Sequence, residues 1–339
     1  MKAQLNNIQE VTINLPALPK NWDMLTGEQM TELNRLRHRC AGSEPEFLFH
    51  AFCFLLGIKL TKKIQENNDG TFTYLFRRVN AKGKKYGEYI PFQNWQIQYY
   101  TSTMLKWLTE DCDRLNDVFP KIRLVNKSFA SPGYAMAKMT YQQHQYAQRF
   151  LAEYYRIGNL LYEKSRQLPQ TNITTLNTCY AKEIKQLFEQ REQVRRRLMA
   201  TIFTPDTIVT DKLVDGKQVH YDPPLHDYIF TTEQIEREAW RFRYFSEFKS
   251  EAVIQQFNGV MLHYKKIFPL LFKESKESIT DFIDAEQSTI NALQSKLHFN
   301  NYQSIYDSNA PFILGQLHAI IKEAKSIEEA NTRLRRKKK

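Results

Sequence analysis

The sequence predicts a mainly α-helical protein that carries a small β-hairpin or β-meander in its N-terminal part. Three observations point to this fold class. Apolar residues recur at three- and four-residue steps over several long segments, as on the buried face of a helix. Residues 71–79 and 86–92 instead alternate apolar and polar side chains, as half-buried strands do. The most aromatic segment, Thr231 to Lys273, again has helical spacing.

The composition changes along the 339-residue chain, and we expect three parts. Residues 1–130 form an α+β part that contains a basic hairpin, residues 131–332 form a helical part, and residues 333–339 form a basic tail. At about 150 residues per domain, the length suggests one large domain or two.

The first two predicted helices have recognisable ends. Thr26 has the position of an N-cap, with Gln29 placed to complete a capping box, and this helix runs to about Cys40. Pro45 lies in the first turn of the next helix, which Gly57 ends.

Two turn signals, at residues 67–70 and 82–85, predict the small sheet. The strands Thr71–Val79 and Tyr86–Phe92 flank the second turn, so the segment from Ile58 to Phe92 is a small basic β-hairpin or a three-stranded meander.

The rest of the chain alternates long helices with irregular segments. We expect helices at Gln93–Leu108, Tyr141–Lys164, Asn177–Phe203, Glu277–Leu297 and Pro311–Leu334. Residues 111–127 should be irregular or partly extended. Pro205 to Phe230 should be a loop with a turn at Asp215 and Gly216.

The aromatic segment is compatible with a hydrophobic core or with a binding surface. Trp240, Phe242, Phe245 and Phe257 recur at helical spacing, and Pro269 is expected to end the helix. Exposed rings at such positions stack on nucleic-acid bases, whereas buried rings supply apolar area to a core. We expect the core arrangement, with Trp240 and Phe257 both buried.

Basic residues are concentrated in two places. The net charge is +11, and the last seven residues contribute six positive charges to it. Between Lys59 and Glu88, eight basic residues stand against three acidic ones. Four aromatic residues are interleaved with these charges: Tyr74, Phe76, Tyr86 and Tyr89. Such patches bind nucleic acid or another polyanion, or they are plain solvated surface. The candidate binding residues are Lys62, Lys63, Arg77, Arg78, Lys82, Lys84, Lys85, Arg335, Arg336, Lys337, Lys338 and Lys339.

No catalytic signature is present, so we expect a protein that is not an enzyme. The chain lacks a P-loop, a dinucleotide-binding glycine motif, an HExxH zinc motif and a GxSxG nucleophile. The loop from His220 to Asp227 offers histidines and carboxylates, but its prolines and polar residues are ordinary loop residues. The four cysteines are widely spaced and form no CxxC pair. We therefore expect no catalytic residue, no metal and no cofactor.

The composition favours a soluble protein. The mean hydropathy is −0.57 and 25% of the residues are charged. No segment reaches the roughly 20 apolar residues that span a bilayer, and the first residues lack the apolar core of a signal peptide. We expect an intracellular protein without a membrane partner.

Four segments carry a resemblance to known proteins. They are LPKNWDMLTGEQMTELNRL from Leu18, MTYQQHQYAQRFLAEYY from Met139, AVIQQFNGVMLHYKKIFPLLF from Ala252 and APFILGQLHAIIKEAKSIEEANTRL from Ala310. Together they are similar to a family of uncharacterised proteins from Bacteroides-type phages and prophages. The resemblance implies a non-enzymatic structural or assembly protein, such as a tail-assembly factor, that contacts other virion or assembly proteins. It also implies a location in the cytoplasm of a bacterial host or in the virion.

The charge distribution supports a second hypothesis from a different functional class. Under it, the protein binds DNA or RNA through the basic hairpin at residues 59–88 and through the basic tail. Phosphate contacts would make such binding fall steeply with salt, whereas assembly contacts between proteins need no such dependence.

Overall fold

The computed structural model describes most of the chain. The described residues are 15–67, 70–80, 82–167, 174–205, 212–214, 217–219, 232–272, 291, 293–294 and 302–337. Long helices dominate them, with small antiparallel sheets, so the predicted mainly α class with a small β part is confirmed.

The chain divides into two compact units, Met1–Arg114 and Leu115–Lys339. The boundary that the composition suggested, at residue 130, lies inside the second unit. Residues around 130 belong to the second unit because they pair with a strand far along the chain. Phe129 pairs with Pro205 and Ala130 pairs with Thr204, and the sequence does not show this pairing.

The described α-helices are numbered in chain order. They are α1 (Gly27–Arg39), α2 (Glu44–Leu55), α3 (Asn94–Tyr99), α4 (Tyr141–Gln167), α5 (Thr174–Ile202), α6 (Thr232–Ala239), α7 (Glu247–Ile267), α8 (Tyr302–Asp307) and α9 (Ala310–Lys337). Among the described residues, none of these helices is long and apolar enough to cross a membrane.

The strands form antiparallel sheets. They are β1 (Ile58–Glu66), β2 (Phe72–Val79), β3 (Lys85–Gln93), β4 (Lys121–Leu124), β5 (Lys127–Ala130), β6 (Thr204–Pro205), β7 (Lys212–Val214) and β8 (Lys217–Val219). The strand orders are β1-β2-β3, β4-β5-β6 and β7-β8. Of the two alternatives that the sequence left open, a hairpin or a three-stranded meander, the structure has the meander. The sheet of β4, β5 and β6 was not predicted.

Local signals at the start of the first unit are confirmed. The Thr26 hydroxyl accepts a hydrogen bond from the Gln29 amide at 3.1 Å, and the Gln29 side chain accepts one from the Thr26 amide at 2.8 Å. This reciprocal capping box satisfies two amides that would otherwise lack partners at the start of α1. Pro45 lies in the first turn of α2, as expected.

The core of the first unit lies between α2 and one face of the β1-β2-β3 sheet. The rings of Phe52 and Phe76 are fully buried and meet edge to face at 6.2 Å. Phe92 and Tyr100 complete this aromatic cluster. The predicted helix over residues 93–108 is broken, since α3 is followed by a π-helical turn and a 3₁₀ turn.

The second unit has a larger core that the α4–α5 hairpin encloses together with α7. Fully buried side chains include Phe129, Phe203, Phe242 and Phe257. Arg195 of α5 is 3% exposed, and its guanidinium donates to the Phe245 carbonyl at 2.8 Å and to the Ser250 hydroxyl. It also pairs with Glu192, so its buried charge is compensated.

The aromatic segment is not one continuous helix, and the prediction that Trp240 is buried is wrong. Residues 240–244 form a 3₁₀ turn between α6 and α7. Side chains three residues apart line up in a 3₁₀ helix, so Ala239, Phe242 and Phe245 face the core together. Trp240 and Tyr244 lie outside that row and are 41% and 58% exposed. The other expectation for this segment, a buried Phe257, is confirmed.

Several expectations concern segments that the structure describes only in part. The predicted turn residues Asp215 and Gly216 lie outside the described residues, although β7 and β8 on either side of them pair. The loop from His220 to Asp227 also lies outside them, as does most of the predicted helix Glu277–Leu297.

The first prediction distinguishes the two aromatic side chains that the sequence placed together in the core. Phe257→Ala should lower the free energy of unfolding by about 3–5 kcal/mol, because it opens a cavity in a packed interior. Trp240→Ala should cost only about 1–2 kcal/mol, because it removes two exposed cation–π contacts, with Arg241 and Arg243, and opens no cavity in the core. Urea unfolding of both variants measures the difference, and equal losses would contradict the assignment.

The second prediction concerns the buried imidazole of His144, which lies beside Phe257 and Tyr264. Neither of its ring nitrogens has a hydrogen-bond partner among the described residues, and burial lowers its pKa from 6.5 to about 4. The folded state therefore binds the imidazole proton more weakly than the unfolded state does. The contribution of His144 to stability is complete above pH 6.5 and is lost as the pH falls towards 4.

The variant His144→Leu removes this titration. When the pH falls from 7 to 4, the parent protein should lose about 3 kcal/mol more of its free energy of unfolding than the His144→Leu variant loses. Urea unfolding of both proteins at each pH measures this difference. Parallel pH profiles for the two proteins would show that His144 is solvated or partnered.

Candidate nucleic-acid interface

The two faces of the β1-β2-β3 sheet differ sharply in chemistry. Phe76 pairs with Leu60 and Ile90 on the face that packs against α2. The next residue, Arg77, points to the opposite face, because side chains alternate along a strand, and it pairs there with Lys59. This outer face is the candidate interface, and we call it the basic sheet face.

Two irregularities in strand pairing shape the basic sheet face. The register of the β1–β2 pair shifts between Leu60 and Ile64 of β1. The register of the β2–β3 pair shifts between Phe76 and Arg78 of β2. Extra residues at such bulges leave carbonyl groups without a ladder partner. Gly87, in the second bulge, has a φ of +74°, a conformation that glycine adopts without steric cost.

Basic side chains satisfy carbonyl groups at both irregularities. The Arg77 guanidinium donates two hydrogen bonds to the Gly87 carbonyl, at 2.9 and 2.7 Å. The Lys85 ammonium donates to the Leu60 carbonyl at 2.8 Å. Part of the basic excess therefore has a structural role, and these two cations are held in fixed positions on the sheet.

Tyr89 is the centre of the basic sheet face. Its ring is 41% exposed, with the Lys63 ammonium 5.0 Å and the Arg77 guanidinium 5.3 Å from the ring centroid. Both contacts are cation–π interactions, which are worth about 0.5–1 kcal/mol at exposed positions. The arrangement combines a stacking surface with two positive charges.

Other cations on β1 are not neutralised by carboxylates. Lys59, Lys62 and Lys63 are exposed or lie at the sheet surface, and they form no ion pair within the described part of the chain. Lys63 lies beside the Tyr89 ring, and exposed positive charge of this kind attracts polyanions.

The other candidates from the sequence have different positions. Lys82 and Lys84 lie in the turn between β2 and β3, where the Asn80 side chain accepts hydrogen bonds from both of their backbone amides at 3.0 Å. Arg78 pairs with Ile58 and so lies on the α2 side of the sheet. Phe76, one of the four aromatic residues that are interleaved with these charges in the sequence, is fully buried and belongs to the core.

The basic tail belongs to the second unit. Helix α9 continues to Lys337, so the backbone of Arg335, Arg336 and Lys337 is helical. The structure does not describe the side chains of these three residues. Lys338 and Lys339 lie outside the described residues. The sequence gives the charge of this tail, and the structure adds a helical backbone as far as Lys337.

The second unit contains an aromatic groove that the sequence analysis missed. Tyr155 and Tyr162 of α4 and Phe188 of α5 are 45%, 63% and 56% exposed, and they line a groove of about 390 Å³. At one end of the groove, the Arg191 guanidinium lies 4.3 Å from the Tyr154 ring centroid and donates to the Tyr154 hydroxyl at 2.7 Å. Helical periodicity marked the buried side of α4 but gave no sign that aromatics on its other side meet α5.

Comparisons with known proteins give no functional assignment. The chain matches no family model, no curated protein and no solved structure.

Proposed function

We propose that the protein binds nucleic acid, preferably a single strand, through the basic sheet face of its first unit. The observation that carries this proposal is the convergence of Lys63 and Arg77 on the exposed ring of Tyr89. Proteins that bind single strands combine a positive surface for the backbone with aromatic rings for the bases.

The contacts around Tyr89 suggest how a nucleotide binds. Arg77 is fixed by its two hydrogen bonds to the Gly87 carbonyl, whereas the Lys63 ammonium contacts the ring without a hydrogen bond to any residue that the structure describes. Lys63 is therefore free to leave the ring and bind a phosphate, and a base then stacks where the ammonium lay. Lys59 and Lys62 extend the positive charge along β1 for further phosphates.

The third prediction separates charge from stacking. Replacing Lys59, Lys62 and Lys63 together by glutamine should flatten the salt dependence of binding to a labelled single-stranded oligonucleotide. Each lost phosphate contact lowers the slope of log affinity against log salt by about 0.7. Tyr89→Ala should instead weaken binding by about 1–3 kcal/mol and leave the slope unchanged. Fluorescence anisotropy at several salt concentrations measures both quantities.

A matched control replaces Lys265, Lys266 and Lys322 by glutamine, because all three are exposed and lie in the second unit. This control changes the net charge by the same amount as the β1 variant. Equal losses in the two variants would show that overall charge, and not the basic sheet face, drives binding. A chain that ends at Thr332 lacks the six tail charges and reports their separate contribution.

We also propose a second candidate function, in phage or prophage assembly through protein contacts, which the aromatic groove favours. Tyrosine and arginine are enriched among residues that dominate binding energy at interfaces, and the groove carries Tyr155, Tyr162 and Arg191 with Phe188. An apolar anchor residue of another virion or assembly protein, such as a tail protein, fits a groove of this chemistry.

The fourth prediction tests the groove. In co-expression with the proteins encoded beside it, the double variant Tyr162→Ala and Phe188→Ala should lose complex formation on size-exclusion chromatography. The control variant, Trp240→Ala with Tyr244→Ala, removes a similar exposed aromatic area elsewhere in the same unit and should retain the complex. No complex with the parent chain, or equal loss in both variants, counts against an assembly role for this groove.

A further inference from the structure

Three side chains of types that bind transition metals converge where α1 meets α2. The Cys40 sulfur, a Glu46 carboxylate oxygen and a His50 ring nitrogen all lie within 4.8 Å of one another. The His50 Nε2 and Glu46 Oε1 atoms are 3.8 Å apart. The sequence analysis expected no metal at the widely spaced cysteines, and nothing in the spacing of these three residues resembles a metal motif.

The backbone between the helices creates this convergence. Ala41 and Gly42 both have positive φ angles, of 47° and 89°. The Ser43 amide donates to the Cys40 carbonyl at 2.9 Å, which closes the turn. Ala41 adopts a left-handed conformation that is strained for a residue other than glycine, so the surrounding structure holds the turn in place. The turn brings the first two turns of α2 back beside the end of α1.

Helix geometry then presents two of the three groups together. Glu46 and His50 are four residues apart, so they lie on the same side of α2. This side is the solvent side, with the Glu46 and His50 side chains 57% and 43% exposed. Cys40 itself is 5% exposed and lies beneath them.

We propose that Cys40, Glu46 and His50 bind a divalent transition metal ion, with zinc as the preferred ion. Thiolate, imidazole and carboxylate are the three protein ligands of zinc, and a mixed set of three leaves the fourth tetrahedral position to water. Donor atoms around tetrahedral zinc lie about 3.5 Å apart, so small rotamer changes in two exposed side chains close the site. The thiol proton leaves to solvent when the sulfur binds the ion.

The other described cysteines supply the control. They are Cys53 and Cys112. Burial raises the thiol pKa of both, as it does that of Cys40, so geometry and not thiol pKa distinguishes the three. Among the described residues, neither belongs to a group of three potential ligands. Cys53 lies on α2 itself, three residues after His50, which makes Cys53→Ser the matched variant.

The fifth prediction is tested on the reduced, chelator-treated full chain. Titration with zinc against a competing chromophoric chelator should give one ion per chain, and cobalt should give a thiolate-to-metal charge-transfer band. Cys40→Ser and His50→Gln should each weaken zinc binding at least about tenfold, and Cys40→Ser should abolish the cobalt band. Cys53→Ser should bind as the parent does. Zinc binding that survives Cys40→Ser unchanged would place the ion elsewhere and overturn the proposal.

A second measurement needs no variant and so does not depend on how well a variant folds. Zinc should slow the alkylation of Cys40 by iodoacetamide in the parent chain at least about tenfold, measured by mass spectrometry of the Cys40 peptide. Alkylation of Cys112 in the same sample serves as the internal reference. Equal alkylation rates of Cys40 with and without zinc would likewise overturn the proposal.

Discussion

The three-stranded sheet of the first unit buries one face, and the organisation of that unit follows from this constraint. Phe76 lies at the centre of this buried face, where it packs edge to face between Phe52 of α2 and Phe92 of β3. Edge-to-face aromatic pairs contribute about 0.5–1.5 kcal/mol each beyond the area that they bury. Because Phe76 points inwards, its neighbour Arg77 must point outwards, and a slip of one residue would exchange them.

The bulges of the same sheet give two of its basic residues a structural role. A bulged sheet exposes carbonyl groups that have lost their ladder partners, and a nearby cation is a suitable donor for them. Arg77 and Lys85 fill that role at Gly87 and Leu60. The lysines of β1 make no such hydrogen bond to a carbonyl group within the described residues, so theirs is the positive charge that the proposed phosphate contacts would use.

The sequence predicted the features that local interactions determine. The Thr26 capping box, the end of α7 before Pro269 and the turns of the meander all depend on residues within a few positions of one another. Helix periodicity also located α4 and α9 closely. In each case the chemistry of the short segment is sufficient to select the conformation.

The sequence could not predict features that depend on helix type or on long-range contact. A spacing of three residues is compatible with an α-helix and with a 3₁₀ helix. The spacing of Ala239, Phe242 and Phe245 therefore did not identify the 3₁₀ turn, in which Trp240 lies outside the buried row. The pairing of Phe129 with Pro205 joins strands separated by two long helices. The residues that contact the Tyr89 ring could be identified only after the pairing register of the strands was known. The candidate metal site was missed for the same reason, because its ligands meet through the strained turn at Ala41.

Helix α2 connects the two candidate sites of the first unit. Its inner side carries Phe52, which packs against Phe76 and so supports the sheet, and its outer side carries Glu46 and His50. An ion bound on the outer side would tie α2 to the end of α1, and binding to the folded state alone stabilises that state. It would add nothing to the contacts of Tyr89, because those contacts are made on the face of the sheet that α2 does not cover. Metal binding should therefore act on the stability of the first unit, whereas the proposed binding of a polyanion to the basic sheet face would depend on β1, β2 and β3 themselves.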